Sequence, residues 1–249
     1  GLGDVYKRQI DAFSPTNKDS NRETIFAVRY KLGEKTNFYS NFTYNVSTFT
    51  KWYDLDGNKL GNVLNIGSGA MRYEYTLDFY RSFAAADTRR DATFLPFCGK
   101  DNDGELVPAG LVLRKFLGET DNGRVQYTND LPVYRYMDVA LMLAEIANEL
   151  NEPVEVERWI GRVRTRAYGD EAPAFTYTTH DAAEEAILAE RDAEFVAEGK
   201  RWYDVRRMLG GKYALELVGG NELKLVWPID AGVLSKDSKV KQNEGYVTE

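Results

Sequence analysis

Three glutamates in the last third of the chain are spaced in a way that could support chemistry. Glu190, Glu194 and Glu198 follow one another at intervals of four residues, so one continuous helix would carry all three on a single face. Paired carboxylates are the groups that glycosidases use as general acid and as nucleophile or base. Glycosidase carboxylates normally come from separate elements that face a cleft, which does not match this arrangement.

A structural interpretation of the same segment is stronger. Three like charges in a row repel one another unless cations intervene, and arginine binds carboxylates through two parallel hydrogen bonds. We therefore predict no catalytic residue and expect an ion-pair network, with Arg164, Arg166 and Arg206 close enough to join it. Its predicted members are Glu190, Arg191, Glu194, Glu198, Arg201, Asp204 and Arg207.

A polar stretch in the first half of the chain carries several aromatic residues. Sugar rings have apolar C–H faces that stack on such rings, while nearby amides and charged groups can bind the hydroxyls, as in other pockets that mix a few polar groups with apolar walls. The predicted ligand-binding residues are Tyr39, Tyr44, Trp52 and Tyr53. Packing of the rings beneath the loop is the alternative, which stays open for Trp52 and Tyr53 and is favoured for Tyr73 and Tyr75.

The sequence gives little support for a metal or cofactor site. The segments 54–58 and 101–104 have the Asp-x-Asp-Gly pattern, but neither continues into a twelve-residue calcium loop, so tight turns are the better interpretation. Gly67-Ser68-Gly69 lacks the third glycine and the strand–helix context of a dinucleotide-binding loop. The single histidine, His180, and the single cysteine, Cys98, preclude a multi-histidine site and an internal disulfide. We predict no cofactor and no metal.

Composition excludes some classes of function. The 249 residues carry 32 basic and 39 acidic side chains, for a net charge of −7, and show no clustered basic footprint, so a nucleic-acid partner is not expected. No apolar run is long enough to span a membrane as a helix. Residues 1–9 have no clear periodicity and join poorly to the segment that starts at Ile10, so we interpret them as a foreign or adapter-derived scar on a coding region that began earlier.

Two segments of different character must position these side chains. Residues 10–130 are rich in loops, with strands predicted at 26–32 and 106–116. From residue 131 onward, apolar residues recur every three or four positions. This pattern predicts a helix that starts at Pro132 with Asp130 as its cap, a second helix from Pro153 to Gly169, and one long helix from Asp181 to Leu209. The first two form a tetratricopeptide-like pair, and a strand-like run follows at 222–228.

Four blocks in this order resemble the SusD/RagB family. They are residues 131–150 (LPVYRYMDVALMLAEIANEL), 160–167 (IGRVRTRA), 187–207 (ILAERDAEFVAEGKRWYDVRR), and 227–229 with 242–246 (WPI…QNEGY). The third block matches the family signature at Glu190, Arg191, Glu194, Glu198, Gly199, Arg201, Asp204 and Arg207. Gly161 and Glu244 depart from the family pattern locally, where asparagine and proline are usual.

The resemblance implies a fold and a function. The fold would be mainly helical, with a loop-rich segment that carries short β-hairpins and faces the ligand. The protein would not be an enzyme. It would capture a nutrient, such as an oligosaccharide, on the outward face of the outer membrane and pass it to a SusC-like TonB-dependent transporter. A lipid anchor would lie on an N-terminal part that this chain lacks. The alternatives are a helical-repeat scaffold that binds only proteins, and a secreted carbohydrate-active enzyme.

Overall fold

A computed structural model describes residues 12–44, 49–63 and 69–246 of the chain. The contacts divide the molecule into one unit that ends at Tyr177 and a second that starts at Thr178. The proposed scar at residues 1–9 and the glycine-rich pair Gly67-Ser68 lie outside the described residues. Within these residues, we find no helix that is both long and apolar enough to cross a bilayer.

The fold is mostly helical with small antiparallel strand pairs, which confirms the predicted class. The strands are β1 (Thr24–Val28), β2 (Phe94–Lys100), β3 (Leu106–Leu113), β4 (Glu119–Asp121), β5 (Arg124–Gln126) and β6 (Leu131–Arg135). The helices of the first unit are α1 (Leu60–Val63), α2 (Leu77–Ser82), α3 (Thr88–Thr93), α4 (Tyr136–Glu149) and α5 (Pro153–Tyr168). Those of the second unit are α6 (His180–Glu194), α7 (Arg201–Arg207), α8 (Lys212–Leu217) and α9 (Ala231–Lys236).

The described part of the first unit contains three two-stranded antiparallel sheets. They pair β1 with β6, β2 with β3, and β4 with β5. The β1–β6 sheet joins strands from the two sides of residue 131, where the character of the sequence changes. The boundary predicted between segments 10–130 and 131–249 marks a change in sequence composition. The contacts instead place all residues up to 177 in one unit.

The helix pair formed by α4 and α5 confirms the predicted repeat unit. Four apolar residues of α5 at helical spacing are fully or almost fully buried: Val156, Ile160, Val163 and Ala167. Pro153 occupies the start of α5, where its missing N–H costs no hydrogen bond, and Gly169 ends it with a φ of 63°. On α4 the buried residues include the polar residues Asp138 and Asn148.

The predicted start of the first helix was wrong. Residues 131–135 form β6, and α4 begins only at Tyr136, after the extended Arg135. Asp130 does not cap a helix, because its carboxylate accepts the N–H of Tyr30 and pairs with Lys18 and Arg29. Pro132 fits this strand as the partner of Ala27 in β1. Tertiary pairing here prevails over the local helix-start pattern.

The predicted long third helix is divided into α6 and α7. The helical backbone ends at Phe195, and both Ala197 (φ 62°) and Gly199 (φ 73°) adopt left-handed conformations before Arg201. A left-handed residue cannot continue a right-handed helix, so the break is built into the backbone. The cap of α6 is Thr179, whose hydroxyl accepts the N–H of Ala182.

The C-terminal segment of the second unit is held by side chains that bind backbone. Residues Glu222–Leu225 form a 3-10 turn instead of the predicted strand. Gln242 accepts the N–H of Ile229 at 2.8 Å and donates to its carbonyl at 2.9 Å, and the Tyr246 hydroxyl donates to Val226 O at 2.8 Å. The tail around Gln242 and Tyr246 therefore holds residues 226–229 through hydrogen bonds to their backbone.

Candidate functional site

Two of the four predicted ligand-binding rings lie in the core. Tyr39 is 5% exposed and stacks on Phe116 with 3.8 Å between ring centroids. Tyr44 is 6% exposed and meets Phe97 and Trp52 edge to face at 5.1 and 4.7 Å. Burial raises the pKa of the Tyr44 phenol, helped by the Glu74 carboxylate that its hydroxyl contacts. Neither ring presents a free face in this conformation, so both belong to the core of the first unit.

Trp52 and Tyr53 are partly exposed beside β2. The Trp52 indole stacks on Phe97 with 3.9 Å between centroids, which covers one of its faces. The backbone of Tyr53 pairs with Cys98 of β2 through hydrogen bonds of 3.0 and 2.8 Å. Ligand contact by these two residues stays a prediction, with one face of Trp52 already in use.

Two lysines surround the Tyr53 ring. Lys59 lies with its ammonium 4.2 Å from the ring centroid and donates a 2.8 Å hydrogen bond to the phenol oxygen. Lys100 lies 4.9 Å from the same centroid. The hydrogen bond from Lys59, and then the charges of both lysines, lower the pKa of the Tyr53 phenol. A ligand that stacks on this ring must therefore share it with the two ammonium groups.

The most exposed cluster of rings in this region is one that sequence reasoning missed. Phe38 is 54% exposed and Tyr73 is 58% exposed, and Tyr73 stacks on Phe42 with 4.9 Å between centroids. The ring centroid of Phe38 in turn lies 6.4 Å from that of Phe42. We call Phe38, Phe42 and Tyr73 the aromatic surface. The expectation that Tyr73 belongs to the core was wrong, whereas Tyr75 packs against Phe94 and burial raises its pKa to about 12.

Backbone hydrogen bonds fix the aromatic surface in place. Residues 40–43 accept N–H groups from the segment 70–72, with Ala70 bound to Ser40 at 3.0 Å, Met71 to Thr43 at 2.9 Å and Arg72 to Asn41 at 2.8 Å. Met71 has a φ of 40°, an unusual conformation for a residue with a side chain. The two segments thus meet through irregular backbone, so no periodic pattern in the sequence could have revealed that Tyr73 stacks on Phe42.

Asn37 anchors the base of the same loop. Its backbone N–H binds Tyr127 O at 2.8 Å, and its side-chain amide donates to Asn129 O at 2.9 Å. The Asn37 side-chain oxygen accepts the N–H of Tyr39 at 2.9 Å. Because Asn37 is buried and bonded on both sides of its amide, the loop enters the aromatic surface from a fixed point.

The two Asp-x-Asp-Gly segments form matching tight turns, as predicted. Asp54 Oδ1 accepts the N–H groups of Asp56 and Asn58 at 3.0 and 2.8 Å. Asp101 Oδ1 accepts the corresponding pair from Asp103 and Glu105 at 3.0 and 2.9 Å. The Asn58 side-chain amide lowers the pKa of the Asp54 carboxyl further. Both carboxylates therefore serve the turn backbone.

The charged residues of α6 and α7 form arginine–carboxylate pairs. Asp204 forms an ion pair with Arg191 at 2.8 Å and accepts a hydrogen bond from Arg207 at 2.9 Å, and Asp192 pairs with Arg201. Burial raises the pKa of Asp192 to about 6 against the opposing charge of Arg201, and sequence reasoning missed this residue. Arg166, expected near this network, pairs with Glu23 in the first unit.

The three glutamates do not share one helical face. Glu190 and Glu194 lie buried on α6, whereas Glu198 lies beyond the helix end at Phe195. The predicted membership of Glu190, Glu194 and Glu198 in the ion-pair network stays a prediction. Buried carboxylates on one helix do not form the facing pair that glycoside hydrolysis requires.

One group of metal-ligand atoms stands out among the described residues. The side chains of His180, Asp181 and Glu184 at the start of α6 place these atoms within 4.8 Å of one another. The positive end of the helix dipole disfavours a cation there, and Glu184 already accepts the N–H of Leu209 at 2.9 Å. These contacts account for the group without a metal.

Comparisons with known proteins agree with the fold. The model of the SusD family matches residues 98–246. A SusD-like protein, P38, from Formosa agariphila is 28% identical over 121 residues, which are 46% of this chain and 24% of that protein. A solved SusD superfamily protein from Bacteroides fragilis has a TM-score of 0.81 and 37% identity, covering 96% of this chain and 54% of its own.

A more distant structure shares the fold alone. Surface glycan-binding protein A from Bacteroides thetaiotaomicron, solved with laminarihexaose, has a TM-score of 0.64 at 18% identity, covering 93% of this chain and 55% of its own. This chain therefore spans about half the length of the solved proteins it matches. Because the family match extends over more than half of its residues, the chain belongs to the SusD family.

Proposed function

We propose that this protein captures an oligosaccharide without catalysis at the outward face of the outer membrane and delivers it to a TonB-dependent transporter. The observation that carries the proposal is the aromatic surface, in which Phe38 and Tyr73 are more than half exposed on two segments that backbone hydrogen bonds hold together. Membership in the SusD family supports glycan binding, and the transporter, the lipid anchor and the outer-membrane location follow from the resemblance.

The physics of the aromatic surface suits a sugar. An exposed ring already fixed by stacking loses little conformational entropy when it binds, and its face matches the apolar C–H side of a pyranose. Phe38 and Phe42 carry no polar atom, so they contribute contact area and no hydrogen bonds. Trp52 and Tyr53 extend the set of partly exposed rings in the same unit.

The charged residues of α6 and α7 support a non-catalytic role. The Asp204 carboxylate is 2% exposed and contacts two arginines. A general acid or base must instead reach the substrate and exchange a proton with it. The geometry therefore favours capture over hydrolysis.

One observation favours the alternative function, a scaffold that binds other proteins. Ile146, Leu150 and Val154 are exposed where α4 passes into α5, with 52%, 62% and 74% of their surface accessible. Exposed apolar side chains on a helical hairpin are typical of sites where another helix packs. Such packing is compatible with glycan capture at the aromatic surface, so it remains a secondary candidate.

Calorimetric titration with laminari-, malto-, cello-, xylo- and manno-oligosaccharides tests the proposed capture. We expect the chain to bind at least one series, and Tyr73→Ala to weaken that binding by about tenfold, since it removes the outer ring of the stack. Tyr203→Ala is the matched control, because Tyr203 is an exposed ring of the second unit at 67%. Absence of binding to every series, or equal binding by Tyr73→Ala, would contradict the proposal.

A further inference from the structure

A cavity of about 260 Å³ opens beside β1, in the first unit and apart from the aromatic surface. The residues that line it include Lys18, Asn21, Phe26, Arg29 and Asp130. Ligand sites usually measure about 300–1,000 Å³, so this one has room for a single sugar residue and not for an oligosaccharide. It combines one aromatic ring with several polar groups.

Asp130 organises the polar wall of the cavity. Its Oδ1 accepts the N–H of Tyr30 at 3.1 Å and lies 3.3 Å from Lys18 Nζ, while its Oδ2 pairs with Arg29 Nε at 2.7 Å. Lys18 also donates to Thr128 O at 2.6 Å. The carboxylate and the ammonium are largely buried and bonded to backbone, so the polar wall is formed before any ligand arrives.

Phe26 is the aromatic residue among those that line the cavity. It is 58% exposed and pairs in the sheet with Tyr134 of β6, which fixes its backbone. The Arg29 side chain, 57% exposed, donates from one terminal nitrogen to Asp19 and forms an ion pair with Asp130, and a guanidinium has five donors in all. An exposed ring and an exposed guanidinium therefore flank a fixed carboxylate.

The cations of the cavity wall are already paired. Lys18 and Arg29 both contact Asp130, and Arg29 also pairs with Asp19, an exposed residue outside the lining. Cations that already have carboxylate partners give an anionic ligand little electrostatic advantage. Hydroxyl groups, which both donate and accept, match the carboxylate and the guanidinium at once.

We propose that this cavity binds one neutral pyranose residue, with its C–H face on Phe26 and its hydroxyls on Asp130 and Arg29. The site deepens the proposed function, since it adds a separate subsite for the same class of ligand. Asp130 follows Asn129, whose carbonyl holds the Asn37 amide at the base of the aromatic surface. The segment 127–130 thus supports both the loop of the aromatic surface and the wall of the cavity.

Saturation-transfer NMR with glucose, galactose, mannose and xylose tests the subsite without an identified oligosaccharide. We expect the full chain to bind at least one of them weakly, Phe26→Ala to weaken it about five- to tenfold, and Phe26→Tyr to retain it, since the ring is what stacks. Because Phe26 is more than half exposed, these variants are expected to fold, and thermal unfolding followed by circular dichroism checks that.

Tyr73→Ala separates this site from the aromatic surface. We expect it to bind the monosaccharide as the parent chain does, even where it loses the oligosaccharide. The subsite is overturned if none of the four sugars binds the parent chain, if Phe26→Ala binds unchanged, or if glucuronate binds more tightly than glucose. Those results leave oligosaccharide capture at the aromatic surface untouched, because that activity is measured with Tyr73→Ala.

Discussion

At the scale of single residues, the first unit depends on a buried carboxylate between two arginines. Glu23 Oε1 accepts Arg135 at 2.8 Å and its Oε2 accepts Arg166 at 2.6 Å, and all three side chains are at most 5% exposed. The pairs connect the residue before β1 with the end of β6 and with α5. A buried ion pair contributes little net stability while it is intact, but the loss of one partner leaves the others buried without compensation.

Glu23→Gln is therefore expected to lower the free energy of unfolding by about 3–5 kcal/mol, because it removes the buried carboxylate that Arg135 and Arg166 share. Urea unfolding followed by circular dichroism measures the change. Glu34→Gln is the control, since it removes the exposed pair with Lys31 and is expected to cost about 0–1 kcal/mol. Equal losses from the two variants would show that the buried cluster has no special role.

At the scale of elements, the break between α6 and α7 depends on left-handed backbone. Gly199 has a φ of 73°, and a Cβ built on it would meet no atom within 4 Å. Close packing does not require glycine here, because the space beside it is open. Its conformation, and not its size, explains why glycine occupies this position.

Two glycine-to-alanine substitutions separate these effects. Gly199→Ala is expected to destabilise the protein by about 1–2 kcal/mol, since a left-handed conformation strains alanine. Gly161→Ala lies within α5, where a Cβ also meets open space, and is expected to stabilise by about 0.5–1 kcal/mol through helix propensity. Chemical denaturation of both variants measures the two signs, and a stabilising Gly199→Ala would refute the backbone explanation.

Local patterns predicted those elements in which neighbouring residues decide the structure. The apolar residues of α5, from Val156 to Ala167, and its ends at Pro153 and Gly169 agree with the prediction because helix periodicity and end signals are local. The start of α4 differs from the prediction, since pairing of β6 with β1 involves residues more than 100 positions apart. The division of α6 from α7 also escaped prediction, because the positive φ of Ala197 has no sequence signal.

The candidate site was predicted by region and not by residue. The segment that carries Tyr39, Tyr44, Trp52 and Tyr53 does contain exposed rings, but composition cannot tell which side of an irregular loop faces solvent. The exposure of Tyr73 depends on the pairing of residues 40–43 with 70–72, which no periodicity encodes. Family resemblance supplied the ligand class, and only the structure could distinguish the supporting rings from the surface rings.

At the scale of the whole molecule, pH acts on 39 acidic side chains at once, so a single group is visible only against a matched variant. Burial raises the pKa of Asp192 from an ordinary value of 3.8 to about 6, and Arg201 opposes the shift. A carboxyl whose folded pKa is raised binds its proton more tightly in the folded state. The penalty for burying its charge is therefore fully present above pH 6 and disappears as the pH falls toward 4.

Asp192→Asn removes this titration and keeps the size of the side chain. The measured quantity is the free energy of unfolding of the parent minus that of the variant. As the pH falls from 7 to 4.5, we expect this difference to rise by about 1–2 kcal/mol, a value reduced by solvent screening because the Asp192 side chain is 25% exposed. Denaturation at several pH values measures the difference, in which the titration of the other carboxyls largely cancels. A constant difference across this range would mean that Asp192 has an ordinary pKa in the folded protein. A difference that favours the variant at low pH would mean that the pair with Arg201 outweighs the burial of Asp192 and lowers its pKa.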